Sequence, residues 1–176
     1  MRKFLAGLLL GIALVPLGVY VYLRSGFAPV ATWAPPMPFE RFLVATAMGA
    51  TIRRQEQPIQ LAGPTSASLV AGAQVYRNNC AVCRGLPGQA PTTVARGMYP
   101  RPPLFFRPNA KKIDDPAEET YWKVENGIRL TGMPSWGASL SDMQIRNLTG
   151  LLEDAKTLPA AAISVLQPPS AKTKQQ

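Results

Sequence analysis

The chain of 176 residues contains no histidine and only two cysteines, Cys80 and Cys83. Structural zinc normally takes four cysteine or histidine ligands, so two thiols alone argue against a zinc site. The sequence also lacks a hydrolase triad, a phosphate-binding loop and a pair of catalytic carboxylates, so we do not expect an enzyme. Strand-like alternation of useful length is absent as well, which favours an all-α fold.

Residues 4–23 contain no charged side chain. A helix of this length is about 30 Å long, which matches the hydrocarbon core of a bilayer. A cleavable signal peptide is the alternative, but its apolar region is usually about 7 to 15 residues long. The stretch Leu23-Arg24-Ser25-Gly26 also lacks a clean small-x-small cleavage site. We therefore predict an uncleaved transmembrane anchor over residues 1–25.

Basic residues flank this anchor on both sides, with Arg2 and Lys3 before it and Arg24 and Arg41 after it. This distribution weakly favours a cytoplasmic N-terminus. The rest of the chain would then face an outer, oxidising compartment, which suits a lone C-x-x-C pair.

Acidic residues are scarce: 10 Asp and Glu stand against 19 Lys and Arg, for a formal charge of +9. This excess permits attraction to acidic proteins or anionic lipid, or it is simply a solvated basic surface. Nucleic acid is disfavoured because no recognisable reader motif is present.

Residues 26–64 are predicted to be a proline-stiffened linker that contains an amphipathic helix over residues 39–55. Its apolar stripe is expected to pack on the following domain, and a position on the membrane surface is the alternative. The stripe consists of Phe39, Phe42, Leu43, Thr46, Ala47 and Ala50.

Helical spacing predicts a small domain over residues 65–158. Its first helix starts at Thr65-Ser66 and ends near Cys80, with Leu69, Ala73 and Tyr76 on one face. Gly72 lies inside this helix. It marks a close crossing with another helix or stands there by chance, since both explanations fit an interior glycine.

Seven prolines exclude a long helix or a central strand between Gly85 and Pro116. Long ordered loops of this kind commonly wrap a ligand, for which Phe105 and Phe106 would supply apolar wall. A short helix that is acidic at its start then ends at Asn126-Gly127.

The last predicted helix opens with a capping box at Ser141 and stops by Pro159. Residues 159–176 are rich in Ala, Pro and Lys, and we predict that they form a flexible tail.

The order of these elements resembles that of a membrane-anchored monohaem c-type cytochrome of class I. The elements are a C-x-x-C at the end of a helix, the proline-rich loop, the short helix, Gly132-Met133-Pro134 and the terminal helix. The resemblance covers residues 65–157. It implies a cytochrome c-like helical domain, with Cys80 and Cys83 as thioether sites for haem c and Met133 as an axial ligand of the haem iron. It also implies a single-pass protein of the bacterial cytoplasmic membrane whose domain faces the periplasm.

Two features depart from this family. The terminal helix has no aromatic residue where the family often packs one, although leucine can fill a helix crossing. The larger departure is Arg84, which stands where the C-x-x-C-H motif has the histidine that binds iron. A guanidinium is protonated up to a pKa above 12 and offers iron no lone pair. Because burying it against haem would be costly, we expect Arg84 to point to solvent or toward a carboxylate.

Two functions remain open at this point. The chain is either an electron-transfer component with altered haem ligation, or a haem-free docking subunit of a membrane complex with a Cys80–Cys83 disulfide. A thioredoxin-like redox pair is disfavoured because the chain shows no βαβ pattern. An acidic redox partner or neighbouring subunits would be attracted by basic residues. The candidates are Arg77, Arg96, Arg101, Arg107, Lys111, Lys112 and Arg129.

Overall fold

The apolar N-terminal segment forms one continuous helix, α1 (Arg2–Arg24), in a computed structural model that describes residues 1–61, 63–106 and 115–167. None of its residues is buried, and its length and composition are sufficient to cross a membrane. Contact clustering separates the chain into two units, Met1–Ala45 and Thr46–Gln176. The first unit consists of α1, the segment that follows it and the first residues of the next helix, up to Ala45.

The predicted linker helix is present as α2 (Glu40–Gln55). Its predicted apolar stripe, however, is exposed, with Phe42 at 68% and Leu43 at 61% of full exposure. The one buried residue of α2 is Ile52, which lies on the opposite face at 3.6 residues per turn. The predicted stripe is therefore not the buried face of α2 among the described residues.

The described part of the second unit has only helices as regular elements, apart from an isolated bridge between Ile128 and Met133. The prediction of an all-α fold is confirmed. The helices are α3 (Ser66–Val75), a π-helical stretch (Tyr76–Cys80), α4 (Ala81–Arg84), α5 (Thr93–Gly97), α6 (Ala117–Asn126), α7 (Asp142–Glu153) and α8 (Ala160–Leu166).

The helix starts follow the capping residues read from the sequence. The Ser141 side chain accepts a hydrogen bond from the Gln144 backbone N–H, and the Gln144 side-chain oxygen accepts one from the Ser141 backbone N–H. Thr65 caps α3 in the same reciprocal way with Ser68. At the other end of α6, Gly127 adopts a φ of 69°, a conformation that favours glycine.

The core is centred on the crossing of α3 and α7. The predicted face of α3 is buried: Leu69 is 6% exposed, and Ala73 and Tyr76 are fully covered. A Cβ atom on Gly72 would overlap the carbonyl oxygen of Asn147 in α7 and would lie 3.1 Å from the Cβ of Leu151. The interpretation of Gly72 as the mark of a close helix crossing is confirmed.

The predicted flexible tail is wrong for residues 160–166, which form α8. Ala162 and Leu166 are completely buried, and the Arg77 side chain donates a 2.8 Å hydrogen bond to the carbonyl of Val165. Pro159 begins this helix instead of ending the fold, since its missing N–H costs nothing at a helix start. Residues 168–176, also assigned to the tail, lie outside the described residues.

Candidate cofactor cavity

A cavity of about 940 Å³ opens among the helices of the second unit. This volume is near the upper end of the range of about 300 to 1,000 Å³ that cofactor and ligand sites span. Its walls come from the π-helical stretch, α4, α6, α7, the proline-rich loop and the segment around Met133. The loop contributes Met98, Pro100, Arg101, Pro102, Pro103, Leu104 and Phe105.

The prediction that this loop encloses a ligand space therefore agrees with the geometry of its described residues. Phe105 lines the cavity, whereas Phe106 packs edge-to-face on Tyr76 with their ring centres 5.0 Å apart. The short helix α5 interrupts the loop, which is otherwise irregular up to Phe106. Residues 107–114 lie outside the described residues.

The C-x-x-C segment is held in place by Tyr76. Its buried hydroxyl donates a 2.9 Å hydrogen bond to the carbonyl of Gly85, directly after α4. This bond joins the two ends of the segment that runs from Tyr76 to Gly85, and it holds that segment against the core. Both cysteines and Arg84 consequently line the same cavity.

The two thiols are free in the structure, and the disulfide considered for a haem-free protein is not formed. Burial raises the pKa of Cys80 to about 11, because it disfavours the thiolate, although the charge of Arg84 acts in the opposite direction. Cys80 is therefore a protonated thiol near neutral pH.

Met133 is positioned by its own backbone. Its N–H donates to the Thr131 hydroxyl at 3.1 Å, and its carbonyl accepts from the N–H of Ile128 at 3.1 Å. The preceding Gly132 admits the side chain of Met98, since a Cβ atom there would overlap the Met98 methyl group. The resulting turn places Met133 on the cavity wall.

Arg84 extends into this cavity, contrary to the expectation that it points to solvent or to a carboxylate. Its Nη2 lies 3.4 Å from the sulfur of Met133, and its Nη1 lies 3.4 Å from the carbonyl oxygen of Pro103. The guanidinium carbon stands 4.4 Å from the centre of the Phe105 ring. Burial lowers the pKa of Arg84, while the neighbouring Cys80 acts in the opposite direction.

Arg84 is the last residue of α4, and the hydrogen bond from Tyr76 to Gly85 holds this end of the helix beside the cavity. The ring of Phe105 then offers the cation a favourable face, and such contacts contribute about 0.5 to 2 kcal/mol depending on solvent exclusion. The sequence argument weighed only the cost of removing the charge from water.

Lys123 is the second half-buried cation at the cavity wall, and it is paired. Its ammonium group lies 2.7 Å from carboxylate oxygens of both Asp115 and Glu119. Burial acts to lower the pKa of Lys123, but its hydrogen bonds with the two carboxylates outweigh that effect and raise the pKa above its ordinary value. Beside it, the buried hydroxyl oxygen of Thr120 has no hydrogen-bond partner within the described residues.

The cavity fits a haem group in part. Two cysteines at C-x-x-C spacing and a methionine sulfur line one space, as covalent attachment and one axial ligand require. The position after the second cysteine does not fit, because guanidinium has no lone pair and the whole chain contains no histidine. These residues therefore suit attachment of the porphyrin but not conventional coordination of its iron by two ligands.

The described members of the basic set proposed to attract a partner have different surroundings. Arg77 binds the Val165 carbonyl, Arg96 binds the Pro91 carbonyl at 2.9 Å, and Arg101 lines the cavity. Arg129 is exposed. The other three, Arg107, Lys111 and Lys112, lie outside the described residues.

Sequence reasoning did not place Met98, Thr120 or Lys123 at the site. The glycine before Met133 was the only signal for Met98, because a residue without Cβ leaves room for a side chain from elsewhere in the chain. Thr120 and Lys123 carried no signal, since their side chains reach the cavity only through the docking of α6.

One of three comparisons with known proteins gives a match. Residues 67–152 match a protein-family model described as cytochrome C oxidase, cbb3-type, subunit III. Searches of curated proteins and of solved structures give no match. The matched range runs from α3 to the end of α7 and includes Cys80, Cys83 and Met133. Residues 67–152 form a cytochrome c-like domain, preceded in the chain by an apolar helix that could span a membrane.

Proposed function

We propose that this chain is a membrane-anchored component of an electron-transfer chain in which haem ligation is altered or lost because Arg84 replaces the proximal histidine. The observation that carries the proposal is the presence of Cys80, Cys83 and Met133 on one cavity of about 940 Å³. When bound, haem supplies one-electron chemistry there. The chain would act as a carrier and not as an enzyme.

In this proposal the residues of the chain have separate roles. Cys80 and Cys83 would hold the porphyrin covalently, Met133 would offer its sulfur to the iron, and the proline-rich loop would exclude water. Arg84 provides a positive charge in place of a ligand, which would shift the reduction potential because axial ligation is a main determinant of it. We further propose that α1 anchors the chain in a bacterial cytoplasmic membrane, with the domain in the periplasm near acidic partners or other subunits.

A second candidate function is a haem-free docking subunit of a membrane complex. The contact of 3.4 Å between the Arg84 guanidinium and the Met133 sulfur favours it, because this contact occupies space between the C-x-x-C segment and the methionine. In that case the anchor and the exposed surface would carry the function. Cys80 and Cys83 would be joined in an oxidising compartment.

Absorption spectroscopy and intact mass of the purified full-length chain distinguish these functions. The protein should be produced in a host that matures c-type cytochromes. A Soret band that persists under denaturing conditions, together with the added mass of one haem, supports the electron-transfer function. A colourless protein that is two hydrogens lighter than its sequence mass supports the docking subunit and refutes the carrier.

The variant Arg84→His tests the inherited cavity directly. We expect it to acquire covalent haem and a low-spin spectrum, because imidazole supplies the missing lone pair. The double variant Arg84→His, Met133→Leu is the matched control, and it should acquire haem but lose the spectroscopic signature of a methionine ligand. If Arg84→His stays colourless in the same host, the cavity no longer accepts haem for reasons beyond residue 84.

A further inference from the structure

The Arg84 guanidinium is a half-buried cation without a carboxylate partner among the described residues. Its contacts are a thioether sulfur, one carbonyl at 3.4 Å and an aromatic ring. A thioether is a weak acceptor, and 3.4 Å exceeds the usual range of about 2.7 to 3.2 Å for an N–H···O bond. A guanidinium carries five N–H donors in a planar fork, so most of its capacity is unused.

The charged residues at the cavity wall leave an excess of positive charge. The lining cations are Arg84, Arg101 and Lys123. Two carboxylates, Asp115 on the wall and Glu119 next to it, are both paired with Lys123 at 2.7 Å, so the count is three minus two, or +1. An anion that enters the cavity would therefore find Arg84 available and would meet no unpaired carboxylate of the described wall.

The rest of the wall is mostly apolar. Hydrocarbon surface comes from Leu104, Phe105, Val124, Leu148 and Leu152. The Thr120 hydroxyl has no hydrogen-bond partner among the residues that the structure describes. A small inorganic anion would leave most of this volume without contacts. The cavity instead matches a ligand that carries one anionic group on an apolar body.

We propose that, before any haem is attached, the cavity binds an organic carboxylate with an apolar body, whose carboxylate pairs with Arg84. The guanidinium fork suits a carboxylate, which it binds through two parallel hydrogen bonds. Pairing also supplies the counter-charge that a half-buried cation otherwise lacks. The ligand displaces the Arg84 contact with Met133 and covers the apolar wall. Carboxylate binding would use the same cavity, but it does not depend on the electron-transfer function proposed above, because it needs neither iron nor attached haem.

The test uses octanoate as the probe and octan-1-ol as its neutral counterpart. The full-length chain is produced without cytochrome c maturation, reconstituted in lipid nanodiscs, and titrated by calorimetry against empty nanodiscs. The variant Arg84→Gln should raise the Kd for octanoate about tenfold or more, since a hydrogen bond to a charged group contributes about 1.5 to 3 kcal/mol. Binding of octan-1-ol should change less than about twofold, because it depends on the apolar wall alone.

The variant Arg96→Gln is the matched control. It removes the same charge from an exposed arginine that binds a carbonyl outside the cavity. The octanoate affinity of this variant should stay within about twofold of that of the parent, since solvent and salt screen an exposed charge outside the cavity. If Arg84→Gln and Arg96→Gln weaken octanoate equally, or if the parent does not bind octanoate, the proposal is wrong.

A second measurement locates the ligand without relying on a variant. Cys80 and Cys83 line the cavity, so bound octanoate should slow their alkylation by iodoacetamide in the parent chain. Unchanged alkylation at saturating octanoate would refute the assignment to this cavity. Because both measurements use protein without haem, their outcome is independent of the spectroscopic test of electron transfer.

Discussion

Replacing Gly72→Ala tests the close crossing of α3 and α7. An added Cβ atom would overlap the Asn147 carbonyl oxygen and would lie 2.8 Å from the carbonyl carbon. Both atoms belong to the backbone of α7, so they cannot rotate away as the end of a side chain could. The two helices must move apart, and the core between them must open.

Two opposing effects set the size of the change. Alanine is favoured over glycine inside a helix by about 1 kcal/mol, which would stabilise the variant. Overpacking of a dense core costs about 1 to 3 kcal/mol. Because the obstruction is backbone, we expect the upper part of that range and a net loss of about 1 to 2 kcal/mol in the free energy of unfolding. For a domain of this size, each kcal/mol of lost stability should lower Tm by roughly 4 to 8 °C.

Gly150→Ala in α7 is the matched control, because no atom lies within 4 Å of a Cβ built at Gly150. The same chemical change should there raise the free energy of unfolding by about 0.5 to 1 kcal/mol. Urea unfolding of the full-length chain in a non-ionic detergent, followed by far-UV circular dichroism, measures both variants. A Gly72→Ala protein as stable as the parent would contradict the close crossing.

Three further variants test other parts of the fold, each by urea unfolding of the full-length chain. Leu166→Ala should lose about 2 to 5 kcal/mol, because its side chain is fully buried; a loss below about 0.5 kcal/mol would show that α8 is not part of the core. Ser141→Ala should lose about 1 kcal/mol through its capping bond, and an unchanged stability would argue against the capping box. Lys123→Met tests pH dependence: the pairing with Asp115 and Glu119 raises the pKa of Lys123 above 10.5, so its contribution is complete below that pH and is lost as the pH rises through the folded-state pKa. The difference between parent and variant should thus be constant from neutral pH to about pH 10 and shrink above it, and a difference that grows there would reverse the assigned direction.

Local patterns in the sequence predicted much of the fold. The capping residue Ser141, the glycine that ends α6 and the buried face of α3 each depend on neighbours within one or two turns of helix. Such interactions can be predicted from the sequence because the partners have a fixed spacing along the chain. The apolar run of α1 is legible for the same reason, since its length alone decides whether it could cross a bilayer.

The residues of the candidate site were partly legible as well. Cys80 and Cys83 were recognised by their spacing and Met133 by its Gly-Met-Pro context, and all three line one cavity. Met98 has no comparable context in the sequence. It reaches the wall because Gly132 leaves room for it, and this contact joins segments more than 30 residues apart in sequence.

Tertiary structure alone decided the direction of Arg84, the burial of α8 and the exposure of the apolar stripe of α2. Solvation predicts a guanidinium in water, but the hydrogen bond from Tyr76 to Gly85 fixes the segment that carries Arg84, and Phe105 lies where the cation ends. Sequence by itself determined which helices form and which donors are available for a cofactor. Which of those side chains meet in one cavity depends on contacts between distant segments, and these have no fixed spacing along the chain.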